Sequence, residues 1–225
     1  MSDFYPDAFL RACGADGPLH LAVGHGGGVS TYAVPWPFAV AGTDPRADVW
    51  LADPSLPARA AYLQLLGGRL LCLDLMQDDD AARKGSYPPH RWLDPDQAWS
   101  CGPVAIRFLP VGAGAGRPVQ LANPTPVVLH FTDEGPGGAG EFHLKVPFIL
   151  LGTARQCQIR LRSRTVSRFH CALIRTPAGL WAVDLLGRGG ITVNGTVARA
   201  ARVDEGDELR IGKFVLRARF PEPDA

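Results

Sequence analysis

The sequence lacks two features that would place it at a membrane or on nucleic acid. No apolar run approaches the roughly 20 residues that cross a bilayer, and no charged segment followed by an apolar one marks a secretion signal. The formal net charge is only +1, so no global charge attracts a polyanion. We therefore expect a cytoplasmic protein that binds neither membrane nor nucleic acid.

Cysteine is scarce and its spacing is uninformative. The chain has five cysteines, an odd number, with no CxxC pair, which excludes a small disulfide scaffold. Neighbouring histidine and cysteine residues have no zinc-ligand spacing. We expect a reducing compartment, no metal and no cofactor.

Glycine and proline, in contrast, are abundant. The 26 Gly and 20 Pro make up about a fifth of the chain, against roughly an eighth in average proteins, while the hydrophobic share is ordinary. This composition favours short strands joined by turns over a helical protein.

The chain also repeats itself. A shift of 110 positions aligns residues 18–110 with residues 128–220 without a gap and gives 17 identities, among them Gly42 with Gly152 and Asp74 with Asp184. Loose alignment of two glycine-rich β segments is the alternative. Two copies of one fold explain the gapless match more economically.

The repeat predicts the domain organisation. The first domain is expected over residues 18–110 and the second over 127–220. Residues 111–126 between them are rich in Gly, Pro and Asn, which predicts a linker.

Positive charge is concentrated in the second copy. Residues 111–225 carry 15 Lys and Arg against 10 Asp and Glu, and no acidic residue lies between Phe142 and Val183. Such a cluster creates a local positive potential that favours an anion. Its arginines are Arg155, Arg160, Arg162, Arg164, Arg168 and Arg175.

Four short motifs follow one another among the strands predicted for this copy. They are Gly152, Ser167-Arg168-x-His170, Asp184-Leu185 and Val193-Asn194-Gly195. Their order and separations resemble a forkhead-associated (FHA) domain. The resemblance implies an all-β fold of two tandem FHA-type antiparallel β-sandwiches, the first copy degenerate, with phosphothreonine held by loops at one end of the second.

The resemblance also implies a role for each motif residue. Ser167 would bond the phosphate and Arg168 would add a contact. His170 would be a buried support that fixes the loop. Gly152 and Asn194 would likewise hold the site in shape.

The chain departs from the family pattern at two loops. Thr153 stands where an arginine usually follows the first glycine, and Gly187-Arg188-Gly189-Gly190 replaces Ser-Thr-Asn-Gly. Thr153 and Gly189 thereby become candidate peptide contacts. Either Arg155 or Arg188 replaces the missing charge, with Arg188 the better placed, or both are solvated surface residues.

Other constellations predict no catalysis. The Gly24-His25-Gly26-Gly27-Gly28 run resembles an oxyanion loop, but the chain has no GxSxG nucleophile motif. Asp78, Asp79 and Asp80 lack the ligand spacing of a calcium site and are expected to be solvated. We do not expect an enzyme.

The sequence thus predicts an adaptor that binds a Ser/Thr-phosphorylated protein through phosphothreonine. In the first copy the counterparts of Ser167 and Arg168 are Pro57 and Ala58, so this copy is expected to be structural or protein-binding. The alternative is a phosphate-independent assembly scaffold, such as a secretion-apparatus subunit. The oligomeric state stays open.

Overall fold

A computed structural model describes residues 6–76, 88–109, 126–133 and 139–221. The chain forms two compact units. The described residues of the first domain are 6–76 and 88–109, and those of the second are 126–133 and 139–221. Asp78 to Asp80 and most of the expected linker lie outside the described residues.

The described residues of the first domain form one short helix and nine strands. They are α1 Pro6–Ala12, β1 Leu19–His25, β2 Gly28–Val34, β3 Phe38–Gly42, β4 Val49–Trp50, β5 Ala61–Leu66, β6 Arg69–Asp74, β7 His90–Leu93, β8 Ala98–Cys101 and β9 Val104–Leu109. The described residues of the second domain form strands and no helix. They are β10 Val127–Asp133, β11 Ala139–Leu144, β12 Phe148–Gly152, β13 Ile159–Arg160, β14 Cys171–Thr176, β15 Gly179–Asp184, β16 Ile191–Val193, β17 Thr196–Ala198, β18 Ala200–Val203, β19 Glu208–Ile211 and β20 Phe214–Arg219.

Each domain consists of two sheets. The first domain has a sheet of order β2-β1-β9-β8 and one of order β4-β3-β5-β6-β7. The second has the orders β11-β10-β20-β19-β16-β17 and β13-β12-β14-β15-β18. All pairings are antiparallel except β3 with β4 and β12 with β13, which are parallel. The predicted all-β sandwich fold is confirmed.

The 110-residue repeat is visible strand by strand. The strands β3, β4, β5, β6 and β7 begin and end 110 positions before β12, β13, β14, β15 and β18. The sheet orders correspond as well. The positions that correspond to most of the hairpin β16-β17, residues 81–87, lie outside the described residues, so this hairpin is compared with no part of the first domain.

Each domain has its own apolar core between its two sheets. In the first domain the core joins residues such as Leu21 and Ile106 to Leu63, and in the second it joins Leu129 and Leu216 on the other sheet to residues such as Leu173. The strand Cys171–Thr176 is buried along its whole length rather than on alternate residues. This strand is therefore covered on both faces.

All five cysteines are buried thiols. Burial raises the pKa of Cys101 to about 12. No helix in the described part of the chain is long and apolar enough to span a membrane. No group of three or more His, Cys, Asp or Glu residues within the described ranges is arranged to hold a metal ion.

One glycine in each domain allows a close crossing of two backbone segments. A Cβ atom on Gly152 would overlap the carbonyl oxygen of Arg168 and lie 2.9 Å from that of Ser167. Gly42 meets the carbonyl group of Ala58 in the same way. Real Cβ atoms do not approach backbone this closely, so both positions require glycine.

We expect Gly152→Ala to destabilise the second domain by about 1–3 kcal/mol, since the obstructing atoms are backbone and cannot rotate away. For a domain of this size that lowers the melting temperature by roughly 4–8 °C per kcal/mol. Scanning calorimetry of the full chain measures the shift. Gly17→Ala is the matched control, because nothing lies within 4 Å of its added Cβ. Equal melting of both variants and the wild type would contradict the crossing.

Candidate functional site

Three loops meet at one end of the second sandwich. The first is the turn after β12 at Gly152, the second joins β13 to β14 and contains Ser167, and the third joins β15 to β16 and contains Arg188. Backbone bonds join the first two, because the N–H groups of Thr153 and Ala154 donate to the carbonyls of Ser167 and Arg168, both at 3.0 Å. Sheet pairing thus brings together segments that are far apart in the chain.

His170 ties the second loop to the third. Its side chain is fully buried. Nδ1 accepts the backbone N–H of Ser167 at 3.0 Å, and Nε2 lies 2.9 Å from the carbonyl oxygen of Gly190. Since Nδ1 acts as an acceptor, the ring proton belongs on Nε2, where it donates to that carbonyl. The imidazole is therefore neutral in this arrangement and uses both nitrogens to hold loops.

The glycine and acidic residues beside His170 complete this packing. A Cβ atom on Gly187 would lie 2.6 Å from Nε2 of His170, so a side chain there would displace the ring. The N–H of Gly187 donates to Oδ1 of Asp184 at 2.8 Å, which fixes the start of the third loop. The close packing against His170 therefore explains why glycine stands at position 187, where the family pattern has serine.

The hydroxyl of Ser167 is joined directly to the third loop. The backbone N–H of Arg188 donates to Ser167 Oγ at 2.8 Å. Because the oxygen accepts this bond, the hydroxyl hydrogen stays available to donate to an anion. Ser167 is partly exposed and Arg188 is exposed, so both side chains can reach a ligand.

The other sequence-predicted cations are placed differently. Arg168 is partly buried, with its guanidinium 5.7 Å from the centre of the Phe169 ring. Arg155 is exposed on the turn after Gly152. Arg160 was not predicted as a site residue, yet its Nε donates to the carbonyl of Thr153 at 2.8 Å. It lies beside the turn from which the usual arginine is missing.

Asn194 lies on the neighbouring hairpin turn with a φ of 50°. Its side chain donates to Oδ1 of Asp207 at 2.7 Å and accepts the N–H of Glu208 at 2.9 Å. These bonds hold two turns together, as a supporting role would require. No contact of the described residues joins its side chain to Ser167.

An open groove of about 660 Å³ begins at Arg188. It contains the predicted contact Gly189, whose φ is 79°. Three of its other lining residues come from the β19-β20 hairpin some 20 residues later in the chain, and sequence reasoning missed them. The lining residues are Arg164, Thr165, Arg188, Gly189, Gly190, Thr192, Arg210, Gly212 and Lys213.

Comparison with known proteins agrees with this geometry. The model of the FHA domain matches residues 149–212, the stretch that contains Gly152, Ser167, His170 and the third loop. The second sandwich is an FHA domain. No curated protein sequence matches the chain.

Solved FHA structures resemble part of the chain. One, from a study of phosphothreonine-dependent FHA domain interactions, is 26% identical, covers 44% of this chain and 100% of its own, and has a TM-score of 0.40. The FHA domain of FhaA, complexed with an intracellular domain, is 27% identical over 41% of this chain and 99% of its own, at a TM-score of 0.37. Mycobacterium tuberculosis EmbR, in complex with a low-affinity phosphopeptide, is 21% identical over 50% of this chain and 27% of its own, at a TM-score of 0.38.

The first domain repeats the backbone of the FHA site without its side chains. Thr43 and Asp44 donate to the carbonyls of Pro57 and Ala58 at 3.2 and 3.0 Å, as Thr153 and Ala154 do to Ser167 and Arg168. Ala60 occupies the position of His170 and keeps both of its backbone bonds, to Ala41 and Leu75. The loop scaffold is retained, whereas the hydroxyl, guanidinium and imidazole are gone.

We expect His170→Ala and Ser167→Ala to separate by melting temperature. Removing the buried ring leaves the Ser167 amide and the Gly190 carbonyl without partners, each at about 1–3 kcal/mol, so this variant should melt about 8 °C or more below the wild type. Ser167→Ala removes one partly exposed bond and should melt within about 4 °C of the wild type. Thermal denaturation of the full chain measures both. If His170→Ala melts like the wild type, the ring does not hold the loops.

Proposed function

We propose that the FHA domain of this protein binds phosphothreonine peptides at Ser167, Arg168 and Arg188, and that the protein acts as an adaptor for a Ser/Thr-phosphorylated partner. One observation carries the proposal. The Ser167 hydroxyl accepts the Arg188 N–H at 2.8 Å, which leaves its hydrogen for a phosphate oxygen and holds the Arg188 backbone next to that hydroxyl.

A phosphate dianion suits these groups. It offers three strong acceptor oxygens, and hydrogen bonds with a charged partner contribute about 1.5–3 kcal/mol each. Ser167 supplies a hydroxyl, and Arg168 and Arg188 supply guanidinium groups at the same end of the sandwich. Arg160, held at the Thr153 carbonyl at 2.8 Å, adds positive charge near the turn that lacks the usual arginine.

The full chain should bind a phosphothreonine peptide more tightly than the matching phosphoserine peptide. The FHA resemblance implies a small pocket for the threonine methyl, and burial of one such group is worth about 0.8 kcal/mol, or about fourfold in Kd. Calorimetry with the two peptides and their unphosphorylated form measures the difference. Ser167→Ala should lower affinity about tenfold or more, through loss of one charge-assisted bond. Equal affinity for phosphorylated and unphosphorylated peptide would contradict the proposal.

Arg188→Ala should weaken phosphopeptide binding about three- to tenfold at low salt and reduce its dependence on ionic strength. The reason is that salt weakens each ionic contact by screening, so binding with one contact fewer depends less on the salt concentration. Titrations at two salt concentrations measure both effects. Arg155→Ala is the comparison, since Arg155 is an exposed arginine of the same domain that does not line the groove. A larger effect of Arg155 would transfer the role to that residue.

We propose that the first domain is silent toward phosphate. Pro57 and Ala58 offer no donor side chain, and the turn before them carries Asp44. Hydrogen bonds from the Arg46 side chain lower the pKa of the Asp44 carboxyl group, so the ionised carboxylate pairs with Arg46 and offers a phosphate no donor. The role of this domain is then that of a structural or protein-binding unit, which needs the sandwich fold but no phosphate site.

An NMR titration of the full chain with a phosphothreonine peptide tests this assignment. Chemical shift changes should cluster at Gly152, Ser167 and Arg188. The first domain should show none of comparable affinity around Gly42 and Pro57, because Pro57 and Ala58 have no side-chain donors in place of Ser167 and Arg168. A second cluster at those two residues would refute a silent first domain while leaving the FHA site intact.

The alternative, a phosphate-independent scaffold, has one observation in its favour. Thr153 occupies the usual arginine position, and its carbonyl is already bonded to Arg160. Binding of an unphosphorylated partner that Ser167→Ala leaves unchanged would favour the scaffold.

A further inference from the structure

The groove that begins at Arg188 extends away from Ser167 toward the β19-β20 hairpin. Its far wall contains Arg210 and Lys213, and Arg164 borders it from the loop that precedes Ser167. The hairpin and this loop are in close contact, because a Cβ atom on Gly212 would overlap Oγ1 of Thr165. Three separate segments therefore build one continuous surface.

This surface is strongly positive. Four of its nine lining residues are Arg or Lys, and none of these described residues is acidic. The Glu208 carboxylate contacts Arg210 at 3.1 Å and Arg217 at 2.9 Å. Hydrogen bonds from Arg217 and Arg210 lower the pKa of Glu208. One ionised carboxylate is thus shared by two guanidinium groups, of which Arg210 lines the groove.

The fold does not require these cations. At the positions 110 residues earlier, Arg164, Arg210 and Lys213 correspond to Pro54, Ser100 and Pro103, and the first domain forms the same strands. Like charges gathered on one surface repel one another and lower stability. A charge cluster that folding does not need is better explained by a ligand.

The ligand must reach the groove from the phosphate site. Arg188 lines the groove while its own N–H binds Ser167 Oγ, so the two surfaces are continuous. An extended peptide advances about 3.3–3.6 Å per residue. A peptide that runs from Ser167 along this groove would therefore carry residues near its phosphothreonine over Arg210 and Lys213.

We propose that this groove binds a second anionic side chain of the same peptide, so that the preferred ligand is a phosphothreonine flanked on one side by carboxylates or by a further phosphate. The inference rests on the proposed phosphothreonine function. It adds a specificity that the Ser167 site alone does not have. Its cationic residues, Arg164, Arg210 and Lys213, are distinct from those assigned to the phosphothreonine.

Binding of four peptides to the full chain tests the proposal by fluorescence anisotropy. One peptide has phosphothreonine between neutral residues, two carry three aspartates on the N-terminal or the C-terminal side, and one carries a second phosphothreonine. We expect an anionic group on one side to raise affinity about tenfold at low salt, as two or three exposed ion pairs would. The aspartate and phosphate arms identify which anion is preferred.

Variants test which residues produce the gain in affinity for the anionic peptide. In Arg210→Gln/Lys213→Gln the advantage of the anionic peptide should fall to about twofold, while affinity for the neutral phosphothreonine peptide stays unchanged. Arg219→Gln is the matched control. It removes an exposed arginine six residues from Lys213 along β20, roughly 20 Å away at strand rise, and it should keep the full tenfold advantage.

The outcomes separate the two claims. If the neutral phosphothreonine peptide binds and no flanking anion improves its affinity, the groove proposal is overturned and the phosphothreonine function stands. The same holds if the gain survives in the double variant, or if a single-stranded oligonucleotide of equal charge displaces the peptide as well as the anionic peptide does. If no phosphothreonine peptide binds, both claims are overturned.

Discussion

The candidate site depends on one buried, neutral imidazole that joins two loops. His170 accepts the Ser167 amide through Nδ1 and donates to the Gly190 carbonyl through Nε2. That bridge holds the two loops so that the Ser167 hydroxyl and the Arg188 amide lie 2.8 Å apart. The side chains proposed to meet the ligand are thus positioned by a buried residue behind them, as preorganised sites require.

Comparison of the two domains distinguishes the residues that the fold requires from those that the candidate binding site adds. In each domain the loop before the fifth strand passes directly over a glycine, Gly42 in the first domain and Gly152 in the second. The backbone hydrogen bonds around this crossing are the same in both domains. Only the second places a hydroxyl, guanidinium groups and an imidazole on the frame. Backbone and core packing specify the sandwich, and the surface chemistry varies independently.

Much of this arrangement could be predicted from the sequence. The gapless shift of 110 residues anticipated the strand correspondence, because strand lengths and glycine turns recur at fixed separations. The resemblance to the FHA family implied that His170 is buried, and its ring is buried. The short strands and the turns between them follow from local turn chemistry.

The groove could not be predicted in the same way. Arg210 and Lys213 reach Arg188 only because β19 pairs with β16, and no local pattern reveals which strands become neighbours. The full burial of β14 could not be predicted from its own residues either, because elements elsewhere in the chain cover the second face of the strand. Arg160 was counted among the basic residues, but its bond to the Thr153 carbonyl follows from the parallel pairing of β12 and β13.

The most direct measurement is a crystal structure of the full chain with a phosphothreonine peptide. The account predicts the phosphate within about 3 Å of Ser167 Oγ, with the Arg188 guanidinium against it and the His170 ring still bonded to the Ser167 amide. A phosphate bound elsewhere, or a ring turned toward the ligand, would contradict it.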